Sequence, residues 1–129
     1  MKLMGIDYGS KRVGIALSDD GGTLAFPRTV LPSDSRLVSA IAELVASQNI
    51  EGIVIGESKN FSGGENPIME DIRQLKTELE AVLSIPLYFE PEFLTSKEAE
   101  HIQGKNDMHD ASAAALILNS FIARKHHTS

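Results

Sequence analysis

The stretch that decides the fold is residues 5–19, GIDYGSKRVGIALSD. An apolar run ends at Asp7, and the turn residues Gly9 and Ser10 follow at once. This pattern predicts a strand that stops at a tight turn. Apolar and small residues then alternate over residues 12–18, which predicts a second strand. The stretch therefore indicates two antiparallel strands, with a carboxylate at the end of the first.

Outward from this stretch, strand and helix patterns alternate. Asp19-Asp20-Gly21-Gly22 is typical of a hairpin. The expected elements are antiparallel strands over 2–7, 12–18 and 23–31, a helix capped at Ser33 or Asp34, a strand over 53–56, a helix from Asn66 with apolar face Ile68, Ile72, Leu75, Leu79 and Val82, a strand over 86–90, and helices over 94–102 and 107–125. The prediction is an α/β fold with a central mixed five-stranded sheet, three antiparallel strands and then two parallel ones, flanked by helices.

Composition limits the class of protein. With 129 residues, of which 42% are hydrophobic, we expect one domain over residues 1–125 and a disordered tail over 126–129. Cysteine is absent, and no apolar run approaches the roughly 20 residues of a membrane span, so a cytoplasmic protein without disulfides is expected. The net charge of −6 argues against coating nucleic acid by bulk attraction. Contact with nucleic acid must be local or bridged by metal.

Three carboxylates are candidates for one site. Asp7 stands at a strand end beside Gly9, where it is either a ligand or a solvated turn residue. Asp107 and Asp110 share one face of a predicted helix turn, where the helix dipole alone also favours acids. Asp110 is the stronger candidate because the alanines behind it allow close packing. Clustered carboxylates resist ionising together unless a cation such as Mg²⁺ or Mn²⁺ separates their charges.

Basic and glycine-containing segments could contact phosphate. Lys11 and Arg12 follow the Gly9 turn, although paired basic residues in a hairpin are often only solvated. Weaker candidates lie in the glycine-containing loop after the fourth strand. The full predicted set of phosphate contacts is Gly9, Ser10, Lys11, Arg12, Lys59 and Asn60.

Four segments resemble, in order and spacing, the YqgF family of RNase H-like proteins. They are GIDYGSKRVGIALSD at 5–19, VIGESKNFSGGENP at 54–67, LTSKEAE at 94–100 and DASAAALILNSFI at 110–122. Family members are regarded as Holliday-junction resolvase-like enzymes or as nucleases that process the end of precursor 16S ribosomal RNA. The resemblance implies an RNase H-like fold and two-metal phosphodiester hydrolysis with Mg²⁺ or Mn²⁺.

The resemblance also implies a ligand set. Asp7 matches the family's strand-one acid and Asp110 its helix acid. The third family acid is the glutamate of an Asp-Glu-Arg motif before Leu-Thr-Ser, which here is Glu92 between Pro91 and Phe93. The missing arginine removes a possible phosphate contact.

A second glutamate competes for the third place. The family has Gly-Leu-Pro after its fourth strand, whereas this chain has Gly56-Glu57-Ser58. RuvC-type resolvases are similar in carrying a catalytic glutamate on that strand. Our hypothesis is that Glu57 serves as metal ligand, with Glu92 as the competitor and a solvent-facing Glu57 as the alternative.

Two other functions fit parts of the pattern. Residues 5–14 also resemble the phosphate loop of actin-like ATPases, although those proteins close two such domains around ATP. A catalytically silent RNA-binding or ribosome-assembly module would fit the altered Asp-Glu-Arg motif. The expected partners are precursor rRNA or branched DNA, and ribosomal assembly particles, with no membrane; the chain is expected to be a monomer or a homodimer.

Overall fold

The computed structural model describes residues 1–58, 68–92 and 109–128. Within these ranges the chain forms five strands and three helices. They are β1 Leu3–Tyr8, β2 Arg12–Ser18, β3 Ala25–Pro32, α1 Leu37–Ser47, β4 Gly52–Ser58, α2 Ile68–Val82, β5 Leu87–Glu92 and α3 His109–Thr128. The predicted helix over 94–102, and the predicted cap at Asn66, lie outside the described residues.

The five strands form one mixed sheet in the order β3-β2-β1-β4-β5. β1 to β3 are antiparallel neighbours, whereas β4 is parallel to β1 and β5 is parallel to β4. This arrangement confirms the predicted sheet. Because β1, β4 and β5 run in the same direction, their carboxyl ends meet at one edge.

Helices cover both faces of the sheet, because side chains alternate between the faces along each strand. Met4 and Ile6 of β1 belong to a core shared with α1 and α2. Leu3 and Val54 belong to a second core shared with α3. The central strands are therefore buried on both faces, which explains their nearly continuous apolar sequence.

Helix α3 lies unusually close to β1. A Cβ atom built on Gly5 would stand 2.8 Å from the carbonyl oxygen of Ala114 and 2.8 Å from Cβ of Leu118. Three buried alanines, Ala113, Ala114 and Ala115, present a thin helix surface on this side. Glycine in the strand and alanines in the helix together allow the two backbones to approach.

Some element ends differ from the prediction. β4 continues through Ser58, two residues beyond the predicted end at Gly56. α3 continues through Thr128, so helix includes residues 126–128, where a disordered tail was predicted. Val82 was assigned to the buried face of α2, but it is the last residue of that helix and is 60% exposed. Among the described residues, no helix is long and apolar enough to cross a membrane.

Candidate active site

Asp7 lies near the carboxyl end of β1, where the strand leaves the core. It pairs with Gly14 of β2 and is half-buried. Alternation along β1 places it on the same face as Leu3 and Gly5, which is the face covered by α3. Asp7 is therefore a half-buried strand residue on the α3 face of the sheet.

The first turn of α3 reaches the same edge of the sheet. Leu118 contacts the Gly5 position and belongs to the core of Leu3, so α3 runs antiparallel to β1. One turn back from Ala114 is Asp110, about 6 Å along the helix axis. Two residues on from Gly5 is Asp7, about 6.6 Å along the strand. The two steps are nearly equal, so the backbone at Asp110 and the backbone at Asp7 reach the same level.

Glu57 lies on the opposite face of the sheet from Asp7. It lies on β4 opposite Pro91 of β5 and is half-buried. Alternation from Ile53 and Ile55, which pack in the core with α1 and α2, gives position 57 the same face as these residues. The strand register therefore separates Glu57 from Asp7 across the sheet.

Position 92 is the last residue of β5, opposite Ser58. Tyr88, four residues earlier on the strand, packs against the core of α3, and its ring centroid is 5.2 Å from that of Phe121. The alternation along β5 gives position 92 the face of Tyr88. The backbone at position 92 thus lies at the edge of the sheet where β1 and β4 also end.

A buried glutamate nearby was not singled out in the sequence. Glu90 is 4% exposed, its Oε2 accepts a hydrogen bond of 2.8 Å from the Ser120 hydroxyl, and its Oε1 pairs with the Arg124 guanidinium. A charge at the end of the apolar run PLYFE was the available signal. Buried carboxylates need partners, and these two join β5 to α3 behind the candidate site.

The β1–β2 turn presents backbone and basic side chains at the same edge. A Cβ on Gly9 would stand 2.5 Å from the carbonyl oxygen of Arg12, so this position requires glycine. Ser10, Lys11 and Arg12 are exposed, and the Lys11 carbonyl accepts a bond of 3.0 Å from the Ser33 amide. The predicted phosphate contacts at Lys59 and Asn60, and the predicted ligand Asp107, lie outside the described residues.

One observation does not support a metal site. Among the side chains that the structure describes, no group of three or more histidines and acids is close enough to hold a metal ion. The candidate carboxylate set is defined by the backbone positions of Asp7, Asp110 and Glu92 on β1, α3 and β5. Oxygen donors of this kind suit Mg²⁺ and Mn²⁺.

Comparison with known proteins identifies the family. Residues 1–124 match the family described as "RuvX: Holliday junction resolvase". A protein of Syntrophus aciditrophicus named "Putative pre-16S rRNA nuclease" is 37% identical over 132 residues, covering 95% of this chain and 88% of the relative. The chain therefore belongs to the RuvX (YqgF) family of Holliday junction resolvases.

Solved structures agree on the fold. RuvC of Thermus thermophilus in complex with Holliday junction substrate is similar with a TM-score of 0.58 at 20% identity, covering 97% of this chain and 96% of RuvC. The Fowlpox virus resolvase complex with Holliday junction DNA is similar with a TM-score of 0.61 at 10% identity, covering 97% and 99%. The fold is RNase H-like, as predicted.

Proposed function

We propose that this chain is a metal-dependent nuclease that hydrolyses phosphodiester bonds in structured nucleic acid. The proposal is supported by the position of Asp7 on the sheet face that α3 covers and by the close approach of α3 to β1, from which we infer a meeting of Asp7 and the first turn of α3 at one edge of the sheet. The close packing of α3 against Gly5 supports this meeting. Membership of a resolvase family supports the reaction class.

Asp7, Asp110 and Glu92 would hold Mg²⁺ or Mn²⁺. Their carboxylate oxygens are the donors that these cations prefer, and their positions come from β1, α3 and β5 at a common edge. When bound, a pair of such cations would activate the attacking water and stabilise the leaving oxygen. The protein contribution is to hold three acids on three rigid elements.

We assign the third position to Glu92 in preference to Glu57. Position 92 shares the face of Asp7, whereas the register gives Glu57 the opposite face with Ile53 and Ile55. A shift of one residue on a strand moves a side chain across the sheet. This assignment reverses the preference drawn from the sequence, where Glu57 was the first hypothesis.

The β1–β2 turn would hold the phosphate backbone of the substrate. Gly9 brings main chain close to the site edge, and Lys11 and Arg12 stand exposed beside it. Cationic side chains that contact phosphates hold a nucleic acid in place without recognising its base sequence. Local contacts of this kind suit a protein whose net charge is −6.

For the substrate we propose the ends of precursor 16S rRNA first, because the relative at 37% identity carries that name. Four-way junction DNA is the second candidate, because the family description names that structure. Both substrates need the same hydrolysis of a phosphodiester. They differ in the 2′-hydroxyl and in helix geometry, so a cleavage assay on each substrate distinguishes them.

The test is a cleavage panel with precursor 16S rRNA fragments and four-way junction DNA, with and without Mn²⁺. Wild-type protein is compared with Asp7→Asn, Glu92→Gln and Glu57→Gln variants. We expect Mn²⁺-dependent cleavage, loss of about 100-fold or more for Asp7→Asn and Glu92→Gln, and a loss below about threefold for Glu57→Gln.

Three results would contradict parts of this proposal. Cleavage that persists in excess chelator removes the metal, and equal loss in the Glu57→Gln and Glu92→Gln variants removes the face argument. Absence of cleavage on both substrates, together with retained RNA binding, favours a silent RNA-binding module instead.

A further inference from the structure

A groove separates helices α1 and α2 on the face of the sheet opposite the candidate active site. It encloses about 590 Å³. One wall is the start of α1 and the residues before it, and the other is the outer surface of α2; Tyr8 closes one end. We call it the α1/α2 groove, and its defining residues are Tyr8, Asp34, Val38, Asp71, Glu78 and Val82.

The floor of the α1/α2 groove is apolar. Leu37 and Leu75 line it from the core, and Val38 lies half-buried above them. Val82 adds an apolar side chain that is 60% exposed at one end. Leu37 and Leu75 are already buried, so the apolar surface that an occupant would cover belongs mainly to Val38 and Val82, and its removal from water is favourable by about 25 cal/mol per Å².

The rim of the α1/α2 groove is acidic. Asp34, Asp71 and Glu78 line it and are exposed, and no lysine or arginine of the described ranges lines it with them. Lys76 of α2 does not line the groove and forms an ion pair with Glu80, at 2.8 Å. The groove therefore presents three carboxylates around apolar surface.

Another cavity in the described part of the molecule differs in charge. It lies between β3 and α1 and is lined by both Arg28 and Glu43. A mixed lining of this kind has no preference for ligand charge. The acidic rim is thus a property of the α1/α2 groove and not of every depression on this acidic protein.

The α2 wall is a regular stripe. Asp71, Leu75, Glu78 and Val82 recur at intervals of three or four residues, so they share one helix face. The stripe spans 11 residues, which is about 17 Å or three helical turns. Its length and its alternation of acidic and apolar side chains suit it to contact one face of another amphipathic helix.

Nucleic acid does not suit the α1/α2 groove, because its phosphates and these carboxylates repel each other. We propose that the groove docks a lysine- or arginine-rich amphipathic helix of a partner protein. Apolar side chains of that helix contact Val38 and Val82, and its cations face Asp71 and Glu78. The partner and the nucleic acid then occupy opposite faces of the sheet at the same time.

The docked helix lies next to the nuclease site without entering it. Tyr8 closes the groove and directly follows Asp7 in β1. Its hydroxyl is 3.3 Å from the Ser33 hydroxyl, which ties the end of β1 to the segment before α1. The occupant therefore places a basic partner beside the edge where the substrate is proposed to bind.

The proposal is tested with a defined probe on the full chain. The probe is a fluorescein-labelled peptide of 14 lysines and leucines, with its leucines at helical spacing i, i+3, i+4 and i+7; a scrambled peptide of the same composition is the control. Fluorescence anisotropy measures binding to wild-type protein, to the double variant Asp71→Asn/Glu78→Gln and to Val82→Ser. The matched control is Glu43→Gln/Glu70→Gln, which removes two exposed charges outside the groove.

We expect the double variant to weaken binding about tenfold and the matched control less than about twofold. Val82→Ser should weaken it about threefold, and added salt should weaken binding to wild-type protein. Asp7→Asn should bind the peptide as wild-type protein does, so peptide binding and nuclease activity can fail separately.

Three outcomes would overturn the proposal. The first is equal binding of the scrambled peptide, and the second is an equal loss in the matched control, because both indicate diffuse attraction to an acidic protein. The third is a wild-type dimer, seen by sedimentation, that Val82→Ser converts to monomer, because the groove would then bind a second copy of this chain.

Discussion

The contact between Gly5 of β1 and α3 makes the sharpest prediction, in the variant Gly5→Ala. The new Cβ would stand 2.8 Å from both the Ala114 carbonyl oxygen and Leu118 Cβ, whereas ordinary contacts begin at 3.4 Å. Helix α3 must therefore withdraw from β1 by at least about 0.6 Å. Neither of these two atoms belongs to the far end of a flexible side chain, so the helix must move as a unit.

The expected losses follow from that displacement. Overpacking in a core costs about 1–3 kcal/mol, and replacing glycine in a strand returns about 0.5–1 kcal/mol, so the free energy of unfolding should fall by about 1 kcal/mol and by at most about 2.5 kcal/mol. A shift approaching 1 Å between catalytic groups costs about 100-fold in rate. Since α3 carries Asp110 and β1 carries Asp7, cleavage should fall by up to about 100-fold.

Urea unfolding and cleavage under Mn²⁺ measure the two effects. Gly21→Ala is the matched control, because its Cβ would meet only Thr23 Cγ2, at 3.8 Å. A Gly5→Ala variant that equals wild type in stability would refute the close approach. Lower stability with full activity would show that the approach serves packing and not the alignment of Asp7 with Asp110.

The remaining predictions concern stability. Glu90→Gln removes the ion pair with Arg124, and because Glu90 is 4% exposed the free energy of unfolding should fall by about 1–3 kcal/mol; unchanged urea unfolding would contradict this. Asn119→Ala removes the hydrogen bonds of 2.9 and 3.4 Å to the Ala25 backbone, so the free energy of unfolding should fall by about 1–2 kcal/mol. Unchanged urea unfolding would show that these bonds do not stabilise the packing of α3 on β3. The side-chain and backbone hydrogen bonds from Thr23 lower the pKa of Asp19 from 3.8 to about 2. This stabilisation is present above pH 4 and lost as the pH falls to 2, so the deficit of Asp19→Ala against wild type should vanish over that window; a constant deficit in acid unfolding would contradict it.

The strand patterns in the sequence predicted most of the fold. The alternation over residues 12–18 and the hairpin signal at Gly21 and Gly22 predicted the antiparallel half of the sheet, and the apolar run at 53–55 predicted a buried central strand. These features are local in sequence, because each depends on the period of a strand or on the chemistry of a turn.

The site was predicted less completely than the fold. The sheet face on which a side chain lies depends on where its strand ends and on which strands pair with it. Ending β4 at Gly56 made Glu57 a loop residue with a free choice of direction, whereas two further strand residues commit it to the face of Ile55. The partnership of Glu90 with Arg124 joins residues 34 apart in sequence, and it exists only once α3 crosses β5. Long-range pairings of this kind leave no periodic signal.

The proposed divalent-cation site consists of Asp7, Asp110 and Glu92 at the end of the sheet where β1 and β5 stop. Calorimetric titration of Mn²⁺ into wild-type protein, Asp7→Asn, Glu92→Gln and Glu57→Gln tests it without depending on any substrate. We expect binding to wild-type protein and to Glu57→Gln, with binding weakened at least about tenfold in Asp7→Asn and Glu92→Gln. Equal Mn²⁺ affinity in the wild-type and Asp7→Asn proteins would contradict the claim.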